Sequence, residues 1–202
     1  MIRKPVVAGS FYPDNPDELE QMIQNCFTHR FGPNSNPPKQ SIERVFGVIC
    51  PHAGYMYSGP IASHSYYEIS SQEFDLAVII GPNHWAIGSK IATMSDAKWQ
   101  TPLGISEVDS ESSNELLTIA DNIEQDYFSH SKDHSLEVQI PFLQEIFPNN
   151  LKILPIIMAK QDIDAAKEVG NAISQIAKSK KTMIIGSSDF THYEENDFAH
   201  KQ

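Results

Sequence analysis

Short, continuous apolar runs alternate along this chain with longer stretches in which apolar positions recur every three or four residues. "LAVII", "ILPIIM" and "TMIIG" are runs of the first kind, and their continuity predicts strands covered on both faces rather than on one. Strands are predicted over 45–50, 76–81, 90–94, 151–158 and 182–186, and helices over 60–69, 110–122, 134–147 and 162–178. Upstream, "NPDELEQMIQNCF" opens with Asn15 as a cap and Pro16 at the first helical position. Leu19, Met22, Ile23 and Cys26 or Phe27 then recur at helical spacing, which predicts an amphipathic helix. "GPNSNPPKQS", 32–41, is too rich in proline and polar residues for either regular structure, and it reads as a linker between a helical preface, 1–31, and the main body. Strands alternating with helices predict a three-layer α/β/α sandwich with a mostly parallel sheet.

Composition narrows the class of partner. The 202 residues are 40% hydrophobic, enough for a sizeable packed core. Fifteen basic residues face twenty-six acidic ones, giving a formal net charge of -11, and no Lys/Arg block is present to neutralise a phosphate backbone, which argues against nucleic acid as a partner. The apolar runs are of strand length rather than membrane-span length, and "MIRKPVVAGSFYP" has no signal-peptide core, so the chain reads as cytoplasmic with no membrane partner. Cys26 and Cys50 are too few for a disulfide framework and form no zinc-type pair, so both are expected as free thiols.

The candidate chemistry follows strands. In open parallel sheets, ligands bind beyond the carboxyl ends of strands, where loops and helix N-termini converge. His52 in "ICPHAGYMYSGP", His84 in "VIIGPNHW", and Asp189 and His192 in "SSDFTH" all follow predicted strands at that end. Neutral imidazole suits iron, copper or zinc, which makes His52 and His84 candidate metal ligands. Asp189 and His192 form the better pair for proton transfer, while Ser187 and Ser188 lack the G-x-S-x-G elbow and read as structural. In "DHSLEVQIPFLQEIF", Asp133 is the expected N-cap, and His134 and Glu137 lie one turn apart, both able to face the rim as substrate-binding groups or simply to form a solvated first turn. Tyr55 and Trp85 are candidates for the pocket wall, whereas Trp99 sits in no motif and is assigned to the core.

"AGSFYP", "PHAGYMYSG", "GPNH", "DHSLEVQIPFL" and "SSDFTHY", in this order over nearly the whole chain, resemble the Memo family. The resemblance implies a single Memo-like α/β domain over 1–202, with a fold like that of the class III extradiol dioxygenases. It also implies iron or copper bound by His52 and His84, with Asp189 and His192 as further polar residues of the pocket. Members of that family continue further, and their metal-binding cysteine lies in that additional C-terminal region; the chain is therefore expected to hold its metal weakly or not at all, and to expose apolar surface that favours self-association. Two functions follow from the same pocket. One is a redox-metal enzyme carrying out a non-haem oxidation. The other is a non-catalytic module that binds a small molecule or a peptide.

Overall fold

The structure is a computed structural model and describes residues 1–38, 44–148 and 151–201. Residues 39–41 of the linker expected at 32–41 lie outside the described residues. Six strands form the main sheet: β2 (Gly47–Cys50), β3 (Leu76–Pro82), β4 (Ile91–Thr93), β7 (Glu124–Gln125), β8 (Lys152–Met158) and β9 (Thr182–Ser187). Their spatial order is β2-β9-β3-β8-β4-β7, parallel from β2 through β8, with β4 antiparallel to β8 and β7 parallel to β4. A small second sheet joins β1 (Ile2–Arg3), β5 (Lys98–Thr101) and β6 (Gly104–Glu107). The helices are α1 (Pro16–Thr28), α2 (Tyr55–Ile69), α3 (Ser110–Ile119), α4 (Ile140–Ile146), α5 (Ile163–Ile176) and α6 (Asn196–Ala199).

Alternation along the central strands accounts for the layers. Side chains of successive strand residues point to opposite faces, and here both faces are covered. Ala77 and Ile79 of β3, Ile153 and Ile157 of β8, and Met183 and Ile185 of β9 pack with Leu19, Ile23, Phe27, Tyr66 and Phe142 of α1, α2 and α4. Leu76 and Val78, with Leu154 and Ile156, pack instead with Leu116 of α3 and with Val169, Ala172 and Ile176 of α5. This is the three-layer α/β sandwich with a mostly parallel sheet that the continuous apolar runs predict.

Local chemistry sets the helix boundaries. The Asn15 side chain accepts the Glu18 N–H at 3.1 Å and Pro16 occupies the first turn, so α1 starts as its sequence predicts. Helix α2 begins at Tyr55, five residues before the predicted start, and carries Pro60 in its interior. The hydrogen bond that Pro60 cannot donate is offset by burial of Tyr55, Gly59 and Ala62 against α1. Gly59 permits that approach, because a Cβ there would lie 2.6 Å from Cys26 Sγ. The helix predicted over 134–147 is divided into a 3-10 turn at Glu137–Gln139 followed by α4, with Pro141 in the first turn of α4.

The β5–β6 hairpin has no counterpart among the predicted strands. It is anchored by Trp99, which is 2% exposed and belongs to the core as expected. No helix among the described residues is long and apolar enough to cross a membrane.

Ile79 is fully buried on the central strand β3. Ile79→Ala is expected to lower unfolding stability by about 2–5 kcal/mol, read as a shift in urea midpoint at unchanged slope. A loss under about 1 kcal/mol would contradict the packing described.

Candidate metal centre

Three adjacent parallel strands, β2, β9 and β3, end at one edge of the sheet. Cys50 of β2 is in register with Ser187 of β9, and Gly186 of β9 with Ile80 of β3. The segments that follow them therefore reach the same rim, bringing His52, Asp189 and His84 together. A fourth segment, the loop that precedes the 3-10 turn, delivers His134.

One ring nitrogen from each of His52, His84 and His134 lies within 4.8 Å of the others. The His84 and His134 rings stack at 4.7 Å, and His52 meets them edge-on at 5.1 and 5.6 Å. His52 is buried, His134 half-buried and His84 exposed, so the cluster has one closed and one open side. Such a set can hold one transition ion at about 2.0–2.1 Å from each nitrogen after a small inward movement of the rings. His134, expected as a substrate-binding group, is thus placed as a third imidazole beside the two expected ligands. His192 stands outside this cluster.

Two carboxylates border the imidazoles. Asp133 Oδ2 accepts the backbone N–H of His84 at 2.6 Å and its ring Nδ1 at 3.0 Å, while Oδ1 accepts the Ser135 N–H at 2.8 Å. A carboxylate only accepts, so Nδ1 of His84 carries the hydrogen and Nε2 is free to ligate. Asp133 is therefore committed to His84 and to a tight turn; it does not cap the predicted helix. Asp189 Oδ1 accepts the backbone N–H of His52 at 2.6 Å, and its Oδ2 lies 3.7 Å from His52 Nε2 and 3.5 Å from His192 Nδ1. Among the described residues neither carboxylate has a Lys or Arg ion-pair partner.

The titration behaviour follows from this packing. Burial, opposed by Asp189, lowers His52 from 6.5 to about 4. His134 is lowered as well, by burial and then by His84, whereas the hydrogen bond to Asp133 raises His84. Burial works against the charge on Asp133, but hydrogen bonds from His84 and Ser135 hold its carboxyl well below the usual carboxylate range. Near neutral pH His52 and His134 are thus neutral donors beside the negative Asp133, a set suited to a cation.

Other residues singled out in the sequence lie elsewhere. Glu137 faces away from the rim: it is 1% exposed and pairs with Arg3 at 2.6 Å. Its oxygens also accept the N–H groups of Val6 and Val7 and the Tyr12 hydroxyl, leaving it engaged on every side. Tyr55 is a core residue; its hydroxyl donates to the Val138 carbonyl at 2.6 Å and its ring packs on Phe142. Trp85 is exposed next to His84, with its indole N–H on the Lys132 carbonyl at 3.1 Å. His192 is largely exposed, with Asp189 as its neighbour. Both cysteines are buried free thiols, and burial raises Cys50 to about 11 and Cys26 to about 12; neither is in the cluster.

A profile of the family described as Memo-like protein matches residues 3–202, essentially the whole described chain. The chain belongs to the Memo-like family. A MEMO1 family protein of Nitrosopumilus maritimus is 58% identical over 202 residues, covering 100% of this chain and 73% of the relative. MEMO1 family proteins of Methanocaldococcus jannaschii and Methanopyrus kandleri are 46% and 44% identical over 210 and 206 residues, again with 100% of this chain and 73% of each relative covered. The Memo-like motifs quoted from the sequence are those that build the site: "PHAGYMYSG" and "GPNH" supply His52 and His84, and "DHSLEVQIPFL" supplies Asp133 and His134.

His130 tests the acid side of this packing. It is buried, neither ring nitrogen has a hydrogen-bond partner among the described residues, and burial, with the Arg3 charge adding to it, lowers its pKa from 6.5 to about 3. Below pH 6.5 the unfolded chain takes up a proton here that the folded chain refuses, so stability is full above that pH and falls as pH drops toward 3. His52 acts in the same direction down to about pH 4. Urea midpoints measured from pH 7.5 to 4.5 are expected to fall, and His130→Phe to flatten the slope by about one proton; an unchanged slope would contradict the assignment.

Proposed function

We propose that this Memo-like protein holds a redox-active transition ion, iron or copper, on His52, His84 and His134, and uses it to oxidise a small organic molecule with dioxygen as the electron acceptor. The observation that carries this reading is the joint arrangement of three imidazoles within 4.8 Å and two neighbouring carboxylates that, among the described residues, have no Lys or Arg partner. A bound ion would compensate that negative charge, and nitrogen donors without thiolate suit iron, copper or zinc. When bound, the ion supplies Lewis acidity and a redox couple.

The chain's own residues divide the remaining work. Asp133 orients His84 and raises its basicity. The buried face around His52 excludes water on one side, while the exposed side at His84 leaves room for a ligand. Trp85, fixed by its bond to the Lys132 carbonyl, offers a flat apolar surface at that opening. His192, oriented by Asp189 at 3.5 Å and open to solvent, is the proton carrier between ligand and bulk water.

The second reading, a non-catalytic small-molecule or peptide module, draws on the same exposed Trp85 and predicts no turnover. The sequence reading expects weak or absent metal on two imidazoles; because His134 adds a third nitrogen donor, titration with iron(II) under anaerobic conditions, and with copper, is expected to give one ion per chain. Loss of an outer-shell partner typically costs about 10- to 100-fold in affinity, so His84→Ala or His134→Ala should each cost at least about 100-fold. Oxygen uptake with catechol-like compounds is expected to require iron and to fall by about 10²- to 10⁴-fold in His192→Ala at unchanged stability. Ligand binding that persists without oxygen uptake would favour the non-catalytic module, and absence of stoichiometric metal would overturn the proposal.

A further inference from the structure

Ser187 ends β9 directly beneath His52 and is nearly inaccessible, at 4% exposure. A hydroxyl offers one hydrogen and two lone pairs, and here each has an assignable partner. The hydrogen goes to the Ser135 carbonyl at 2.7 Å, an atom that can only accept. One lone pair receives an N–H of Gln139 at 2.9 Å. The Gln139 amide cannot be turned over, because its other N–H meets the Pro51 carbonyl at 3.1 Å and its oxygen accepts the Tyr66 hydroxyl at 2.6 Å. The contact that is left is with His52 Nδ1, at 3.0 Å. Ser187 has only a lone pair for it, so Nδ1 carries the hydrogen and Nε2 keeps a free pair.

We infer that Ser187 and Gln139 are positioning residues of the metal centre: a buried, uncharged relay from Tyr66 through Gln139 and Ser187 fixes His52 in its Nδ1–H form and presents Nε2 as the ligand atom. Its role in metal binding rests on the function proposed above, whereas the tautomer does not. Asp133 imposes the same tautomer on His84 with a negative charge. Two imidazoles of one site are thus oriented by different means, one anionic and one neutral. The relay also joins separate elements: Tyr66 belongs to α2, Gln139 to the 3-10 turn and Ser187 to β9. Ser187 is therefore neither a nucleophile nor a passive strand end. Its hydroxyl hydrogen is spent on a carbonyl, and its remaining acceptor capacity orients an imidazole.

The test reads the ring nitrogens of metal-free, 15N-labelled protein near pH 8 by long-range proton–nitrogen correlation, with the His52 signals identified by their loss in His52→Gln. The unaltered protein is expected to show a protonated Nδ1 and an unprotonated Nε2. Ser187→Ala is expected to give a mixture of tautomers and to lower cobalt(II) affinity by about 10- to 100-fold, and Ser187→Thr, which keeps the hydroxyl, to restore both. An Nε2–H tautomer in the unaltered protein would overturn the inference, as would a Ser187→Ala variant unchanged in both readouts. Should Ser187→Ala fail to fold, the spectrum of the unaltered protein decides alone. Failure of the unaltered protein to bind cobalt(II) while His52 shows the Nδ1–H form would overturn the metal reading and leave the tautomer assignment standing.

Discussion

The buried ion pair between Arg3 and Glu137 is the constraint on which the site's third side depends. The guanidinium also donates to the carbonyls of His130 and Asp133, at 2.8 and 2.6 Å, and lies over the Trp99 ring at 4.1 Å. One side chain from the second residue of β1 thus holds two carbonyls, three residues apart, in the loop that carries Asp133 and His134. A buried charge without its partner costs far more than the pair contributes, so arginine and carboxylate form together or not at all. The N-terminal strand is thereby tied to the rim, although it contributes no ligand.

The other two sides are set by sheet topology. Parallel strands β2, β9 and β3 release their chains at one edge, and the bonds made there are mutually dependent. Asp189, after β9, accepts the backbone N–H of His52, after β2; Asp133, in the loop, accepts that of His84, after β3. His52 and His84 are thus each held at the backbone by a carboxylate from another segment. Separate elements supply the cluster, and none of them assembles it alone.

The sequence shows clearly what repeated burial writes into it. Ile79 and Ile80, or Ile184 and Ile185, are apolar neighbours because both faces of the sheet are covered, and this made the parallel core legible. The β5–β6 hairpin was not, since Trp99 and Ile105 are isolated apolar residues among polar ones and leave no run to detect. His52 and His84 were legible from their position after strands. Glu137 was misplaced for a physical reason: its partner Arg3 is 134 residues away, so local spacing put it on the rim while a distant charge draws it into the interior. Tyr55 was misplaced similarly, because α2 begins before Pro60 and turns its ring into the core. His134 was legible as a rim residue, but its grouping with the other imidazoles depends on the loop that Arg3 holds.

The most direct measurement of the central claim is X-ray absorption at the metal edge of protein loaded with one equivalent of iron or copper. The arrangement described here predicts a first shell containing three imidazole nitrogens, seen through their characteristic multiple scattering, with one imidazole lost in His134→Ala. A shell of oxygen ligands only, or a spectrum unchanged by His134→Ala, would contradict it.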